Sequence, residues 1–247
     1  MDAVMDLTAK TVIVTGASSG IGAATARALH AAGAQTVLAA RRADRLRALS
    51  AELGGALAVP TDVTDAAQLR DLVAATLERH DRIDGLVNNA GAGLHGPLAD
   101  VDPAEYREIL DLNVVGMLAM TQAVLPAMRE QRFGRIVNMS SGATRIVLAG
   151  DGAYVATKSA VNMLSAVLRE ELASDGIAVS LLLPSFTATE FGNGMFQLGV
   201  EPAPGLVVHR PEYVASAVLR LLRTGEETFD IPHGPERADI ARIRTDS

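Results

Sequence analysis

The chain has 247 residues, 49% of them hydrophobic, which is enough to fill the core of one large α/β unit. Its 22 Lys and Arg against 29 Asp and Glu leave a net charge of −7, which excludes the basic footprint of a nucleic-acid or anionic-membrane surface and favours a small-molecule partner. The absence of cysteine excludes disulfides, thiolate catalysis and cysteine metal sites together; the five histidines (His30, His80, His95, His209, His233) are too scattered for a zinc cluster, so no metal is expected.

The first ten residues, MDAVMDLTAK, carry no apolar core segment, and no later run approaches about 18 uninterrupted apolar residues, so a cytoplasmic chain is expected. Thr11 to Val14 has the length and β-branching of a buried strand, and Ile21 to Ala32 the Ala- and Leu-rich pattern of a helix packed on a sheet. Between them Gly16, Gly20 and Gly22 allow a tight turn in which a pyrophosphate could approach the unpaired N–H groups of the helix start. The spacing is G-x-x-x-G-x-G rather than the common G-x-G-x-x-G, so a strand-turn-helix without ligand is the alternative reading at this point.

A second strand, Gln35 to Ala40, ends in Arg41 and Arg42. In nicotinamide-binding folds an acid at this place binds the adenosine ribose, whereas an arginine accommodates the 2′-phosphate; the pair therefore favours NADP over NAD, with Arg41 as reader and a solvated helix start as the alternative. Asp44 is expected to cap the next helix. Ala56 to Val59 is a third strand, followed by Asp62 and Val63, where Asp62 either meets the adenine or settles the turn before a helix over Asp65 to Arg79. Asp84 to Val87 leads into Asn88-Asn89-Ala90-Gly91, a tight turn or a cofactor floor. Asp102-Pro103 opens a helix to about Gln131, expected to be kinked or interrupted near Pro126, with Asn113 inside it. Arg135 to Met139 forms a fifth strand before Ser140-Ser141; Tyr154 and Lys158, four apart, share one face of the next helix; Ile177 to Leu183 is a sixth strand closed by Pro184, and Thr228 to Ile231 a seventh after a helix from Pro211. Seven strands alternating with helices predict one domain over 1–247, a parallel sheet covered on both faces.

These residues resemble the short-chain dehydrogenase/reductase family over nearly the whole chain: TGASSGIG at 15–22, NNAG at 88–91, Asn113, Ser141 and YVATK at 154–158 stand in the family's order and spacing. The resemblance implies a doubly wound (Rossmann) fold, an NADP(H) cofactor and a catalytic tetrad of Asn113, Ser141, Tyr154 and Lys158. It also implies a cofactor set comprising Gly16, Ser18, Ser19, Gly20, Ile21, Gly22, Arg41, Arg42, Asp62, Val63, Asn89, Ala90, Gly91, Tyr154, Lys158, Pro184, Thr187 and Thr189. Thr189 would contact the nicotinamide carboxamide, Asn113 would hold a water linking Lys158 to solvent, and the helices over 103–131 and 152–174 resemble those through which the family forms homodimers and homotetramers. Pro184-Ser185 replaces the family's Pro-Gly.

The chemistry of these residue types agrees with those roles. Hydride addition to a carbonyl leaves an alkoxide, so a proton must reach the oxygen as charge develops. Bringing a tyrosine from a pKa of about 10 to about 7 requires about 4 kcal/mol of phenolate stabilisation, and an ammonium about 4 Å away at an effective dielectric near 20 supplies that order. Burial of the lysine would oppose this, and an oxidised nicotinamide would assist. Substrate contacts are expected from His95, Ile146, Val147, Leu148, Phe191, Met195, Phe196 and Leu198, with a lid over roughly 186–206. No charged cluster announces a charged substrate, so an uncharged, moderately apolar carbonyl compound or alcohol is expected. The rival readings are an NAD-dependent alcohol dehydrogenase and a non-catalytic NADP(H)-binding regulator.

Overall fold

A computed structural model describes residues 4–194, 196–198 and 205–232. Met195, His233, the tail 235–247 and the 199–204 part of the expected lid lie outside the described residues. Seven parallel strands form one sheet in the order β3-β2-β1-β4-β5-β6-β7. They are β1 Thr11–Thr15, β2 Gln35–Ala40, β3 Leu57–Pro60, β4 Gly85–Asn88, β5 Gly134–Met139, β6 Ile177–Leu183 and β7 Thr228–Asp230. The helices between them are α1 Gly20–Ala31, α2 Ala43–Glu52, α3 Ala66–His80, α4 Pro103–Leu110, α5 Gly116–Gln131, α6 Gly152–Leu172 and α7 Pro211–Thr224.

Strand alternation divides the core into two layers. Val12, Val14, Leu38, Val87 and Val137 face α1 and α7, whereas Ile13, Val37, Leu86 and Ile136 face α3, α5 and α6. Both faces are covered, which explains why the strands read as continuous apolar runs. The sheet is therefore doubly wound, and its order reverses between β1 and β4, the place where such sheets open a crevice at the carboxyl ends of their strands.

Two local expectations are corrected. The helix runs unbroken through Pro126, because Pro126 and Gln122, whose carbonyl loses its partner, both lie on the exposed face, where solvent can take that carbonyl. The irregularity lies earlier: Asp111–Val115 form a π turn between α4 and α5, with Asn113 buried inside it. Asp44 does not cap α2; the cap position is Arg42, without a side-chain bond, and Asp44 stands in the first turn, where its charge suits the helix dipole. Asp102, by contrast, caps α4 as expected, accepting from the Ala104 N–H at 2.8 Å ahead of Pro103.

Candidate active site

The carboxyl ends of β1, β2, β4, β5 and β6 converge on a cleft of about 860 Å³. Its floor at the switch point is built from two loops that brace each other. Gly16, at φ +65°, lets the chain leave β1, and a Cβ there would lie 2.8 Å from the Asn89 amide nitrogen. Asn89 Nδ2 donates to the Thr15 carbonyl at 3.0 Å, and the N–H groups of Asn89 and Ala90 donate to Thr15 Oγ1 at 3.0 and 3.1 Å. The NNAG loop is thus both a turn and the wall that holds the glycine loop in shape. Gly22 has a different task from the one expected: it does not line the cleft but packs α1 on the loop, where a Cβ would sit 2.3 Å from the Gly16 carbonyl oxygen.

Ser19 stands at the cap position of α1, yet its hydroxyl does not cap the helix; it accepts instead from Arg42 Nη2 at 2.6 Å. The first-turn N–H groups of α1 therefore have no side-chain cap, and the glycine loop leaves a cradle that a Cβ would fill. These features fit the pyrophosphate of a dinucleotide. Arg42 also donates through Nε to Ser18 Oγ at 3.0 Å. Arg41 extends into solvent, 71% exposed, with Nη1 4.0 Å from Asp62 Oδ2. Arg42, more than Arg41, is the arginine folded over the glycine turn. Asp62 settles its own turn, Oδ1 accepting from Thr64 N–H and Oγ1, while Oδ2 is the oxygen turned toward Arg41. Ile21, Val63, Ala90, Gly91 and Pro184 line the cleft. Thr189 lies against Gly20, where a Cβ would meet its side chain at 3.1 Å, and Thr187 turns its hydroxyl to the Ser185 carbonyl at 2.8 Å.

At the other end of the cleft α6 places Tyr154 and Lys158 one turn apart, both buried. Lys158 Nζ donates to the Met139 carbonyl at 2.9 Å and lies 5.9 Å from the centre of the Tyr154 ring. Burial pulls its pKa down to about 8. Burial also pushes the Tyr154 phenol up to about 12; a hydrogen bond with Ser141 lowers it in part, and Asp151 raises it. Desolvation thus acts on both members of the pair, moving each toward its neutral form, and Ser141 is the group that draws the phenol back.

Ser141, not Ser140, faces the tyrosine: Ser140 Oγ is tied to Asn162 Oδ1, whereas Ser141 Oγ caps the short turn Gly142–Arg145 and reaches Tyr154. Asn113 stands behind this group rather than in the cleft. Its Nδ2 donates to the Ala92 carbonyl at 2.9 Å and Thr157 Oγ1 at 3.0 Å, and its Oδ1 accepts from the Ala92 N–H at 2.9 Å. Both amide hydrogens are used, so the side chain is a strut that ties Ala92, next to the NNAG loop, to Thr157 on α6.

The substrate side is apolar and aromatic. His95, Ile146, Leu148, Phe191 and Phe196 line it, with the Phe191 ring 5.5 Å from that of Tyr154. Val147 is fully exposed and, like Leu198, does not line the cleft. Sequence reasoning missed two acids here. Asp151 Oδ1 lies 2.7 Å from His95 Nδ1, and Glu190, one residue beyond Thr189, bonds Arg42 and Arg45. The three contacts join residues 56, 148 and 145 positions apart in the chain, so none leaves a local motif.

A family model described as short chain dehydrogenase matches residues 10–197. A ketoacyl reductase from Nostoc sp. is 35% identical over 242 residues, covering 96% of this chain and 83% of its own length. A 3-ketoacyl-(acyl-carrier-protein) reductase from Brucella melitensis, solved with NADH, aligns with a TM-score of 0.87 at 28% identity over 92% of this chain and 98% of its own. An alcohol dehydrogenase from the archaeon Thermococcus sibiricus, solved with 5-hydroxy-NADP, aligns with a TM-score of 0.81 at 27% identity over 91% and 96%.

Proposed function

The chain belongs to the short-chain dehydrogenase family of oxidoreductases, and we propose that it transfers a hydride between NADP(H) and an uncharged, moderately apolar ketone or aldehyde, or the matching secondary alcohol. The observation that carries this reading is the buried pair Tyr154 and Lys158 with the half-buried Ser141 beside it, beneath an apolar mouth, at one end of a cleft whose other end is a glycine cradle under Arg42.

The bound dihydronicotinamide would supply the hydride. This chain's residues do the rest. The Tyr154 hydroxyl donates its proton to the carbonyl oxygen as negative charge builds there, and Ser141 holds that oxygen beside it. A phenol with a pKa near 12 keeps its proton at neutral pH, which suits reduction; oxidation of an alcohol needs the phenolate and gains as pH rises. Lys158, charged below about pH 8, favours the developing phenolate across the tyrosine ring. Asn113 positions the loop under the reacting centre. Gly16, Gly20 and Thr189 would hold the coenzyme, with Arg42 as reader of its 2′-phosphate and Arg41 in support. Val115, Met163 and Val167, exposed at the start of α5 and along α6, support assembly as a homodimer or homotetramer, and the cysteine-free composition suits a cytoplasmic protein.

The test is loss of nicotinamide absorbance with NADPH and NADH across aliphatic, aromatic, cyclic and β-ketoacyl carbonyl compounds. NADPH-preferring turnover supports the whole reading. NADH-preferring turnover keeps the chemistry and discards the coenzyme assignment, an outcome to which the NADH complex of the Brucella protein lends weight. Binding of NADPH without turnover on any carbonyl class points to a regulator.

A further inference from the structure

The arginine that would read a 2′-phosphate, Arg42, already holds an anion from this chain, which it shares with Arg45. Glu190, in the loop after β6, places Oε2 2.9 Å from Arg42 Nη1, and both its oxygens lie within 2.8 Å of Arg45 Nη1, Oε1 at 2.6 Å. The two guanidiniums hold its carboxyl below the usual range, so it is ionised at neutral pH. Arg42 is fixed from below by Ser18 and Ser19, leaving Nη1 as the edge it offers to an anion, and Glu190 takes that edge. All of these residues except Arg45 line the same cleft. A carboxylate bridging two guanidiniums presents the charge and acceptor geometry that a phosphate monoester also presents.

We propose that Glu190 sets the coenzyme discrimination of this chain: its carboxylate is an internal competitor for the Arg42–Arg45 anion site, displaced by the 2′-phosphate of NADP(H) and left in place by NAD(H). The inference rests on the NADP(H) reading above. Its consequence is that part of the affinity available from Arg42 and Arg45 is spent on removing Glu190, so the preference for phosphorylated coenzyme is smaller than the arginines alone would give. Glu190 is more than half exposed, so neutralising it should not disturb the fold.

The experiment is calorimetric titration with 2′,5′-ADP and with 5′-AMP, which need no turnover, on the wild type, Glu190→Gln and Arg42→Ala. Glu190→Gln keeps the shape and removes the charge; it is expected to tighten 2′,5′-ADP by about five- to tenfold and to leave 5′-AMP within about twofold. Unchanged or weaker 2′,5′-ADP binding in Glu190→Gln would overturn the inference, and equal weakening of both nucleotides would show a clasp rather than a competitor. Arg42→Ala separates the two levels of the argument. If the wild type prefers 2′,5′-ADP, and loses that preference in Arg42→Ala, while Glu190→Gln changes nothing, the inference fails and the NADP(H) reading stands. If neither the wild type nor Glu190→Gln prefers 2′,5′-ADP over 5′-AMP, both fail.

Discussion

The two ends of the sheet bury charge in opposite ways. At the amino end Asp84, completely buried ahead of β4, accepts from the Thr11 N–H at 3.0 Å and from Arg82 Nε at 2.7 Å, with Lys10 3.5 Å away. Burial raises its pKa, but Arg82, the Thr11 N–H and Lys10 outweigh that and leave the carboxyl below its ordinary value. At the carboxyl end Lys158 has one carbonyl for a partner in the described hydrogen bonds, and burial prevails. A buried charge given a full set of partners keeps its charged form and ties the fold together, whereas one left short of them is pushed toward neutrality; the proposed function uses the second as the group that answers a charge arriving with the reaction.

Removing each charge should separate the two roles. Lys158→Met is expected to lower turnover by about 10²- to 10³-fold, a transition-state loss of about 3–4 kcal/mol. It should nonetheless raise stability. Lys158 has a folded pKa near 8 against 10.5, so the unfolded state binds the proton more tightly; stability rises with pH between about 8 and 10.5, and below pH 8 the full penalty is present. That penalty is about 3 kcal/mol and is offset by about 1 kcal/mol for the bond to Met139 that methionine loses. Chemical denaturation at pH 7 should therefore show a gain of about 2 kcal/mol, and a loss would erase the contrast.

Asp84→Ala should do the reverse, costing about 2–3 kcal/mol in the same measurement while leaving kcat within about twofold. Because its folded pKa is depressed, the stability it contributes is present above the ordinary carboxylate range and lost as pH falls below it. Arg42→Ala should cut the NADPH-over-NADH ratio in kcat/KM by about tenfold, about 1.4 kcal/mol, with a smaller change for the more exposed Arg41→Ala. The Lys158 charge can also be removed by titration, and the reduction rate is expected to fall progressively above about pH 8 as Lys158 discharges, read from a pH profile of kcat/KM.

Much of this was legible in the sequence because local pattern and tertiary demand agree. Ile177–Leu183 reads as a strand and is one to the residue, and Asp102-Pro103 begins a helix as written. The glycine loop, NNAG, Ser141 and the Tyr154–Lys158 pair meet in one cleft, as their residue types require. What the sequence hid depends on exposure or on distant neighbours. Pro126 is harmless only because it faces outward, and the π turn at Asn113 carries no breaker residue to announce it. Whether Lys158 or desolvation governs Tyr154 turns on burial and a separation that spacing along a helix does not give. Glu190 is 148 residues from Arg42, and Gly22 owes its place to the Gly16 carbonyl rather than to a ligand.

The most direct measurement compares wild type with Tyr154→Phe, following NADPH absorbance with the best carbonyl substrate alongside NADPH binding by calorimetry. The buried hydroxyl as proton donor predicts turnover at least 10³-fold lower in the variant, about 4 kcal/mol, with coenzyme affinity within a few-fold of wild type. Turnover within tenfold of wild type would contradict it and move the proton transfer to another group.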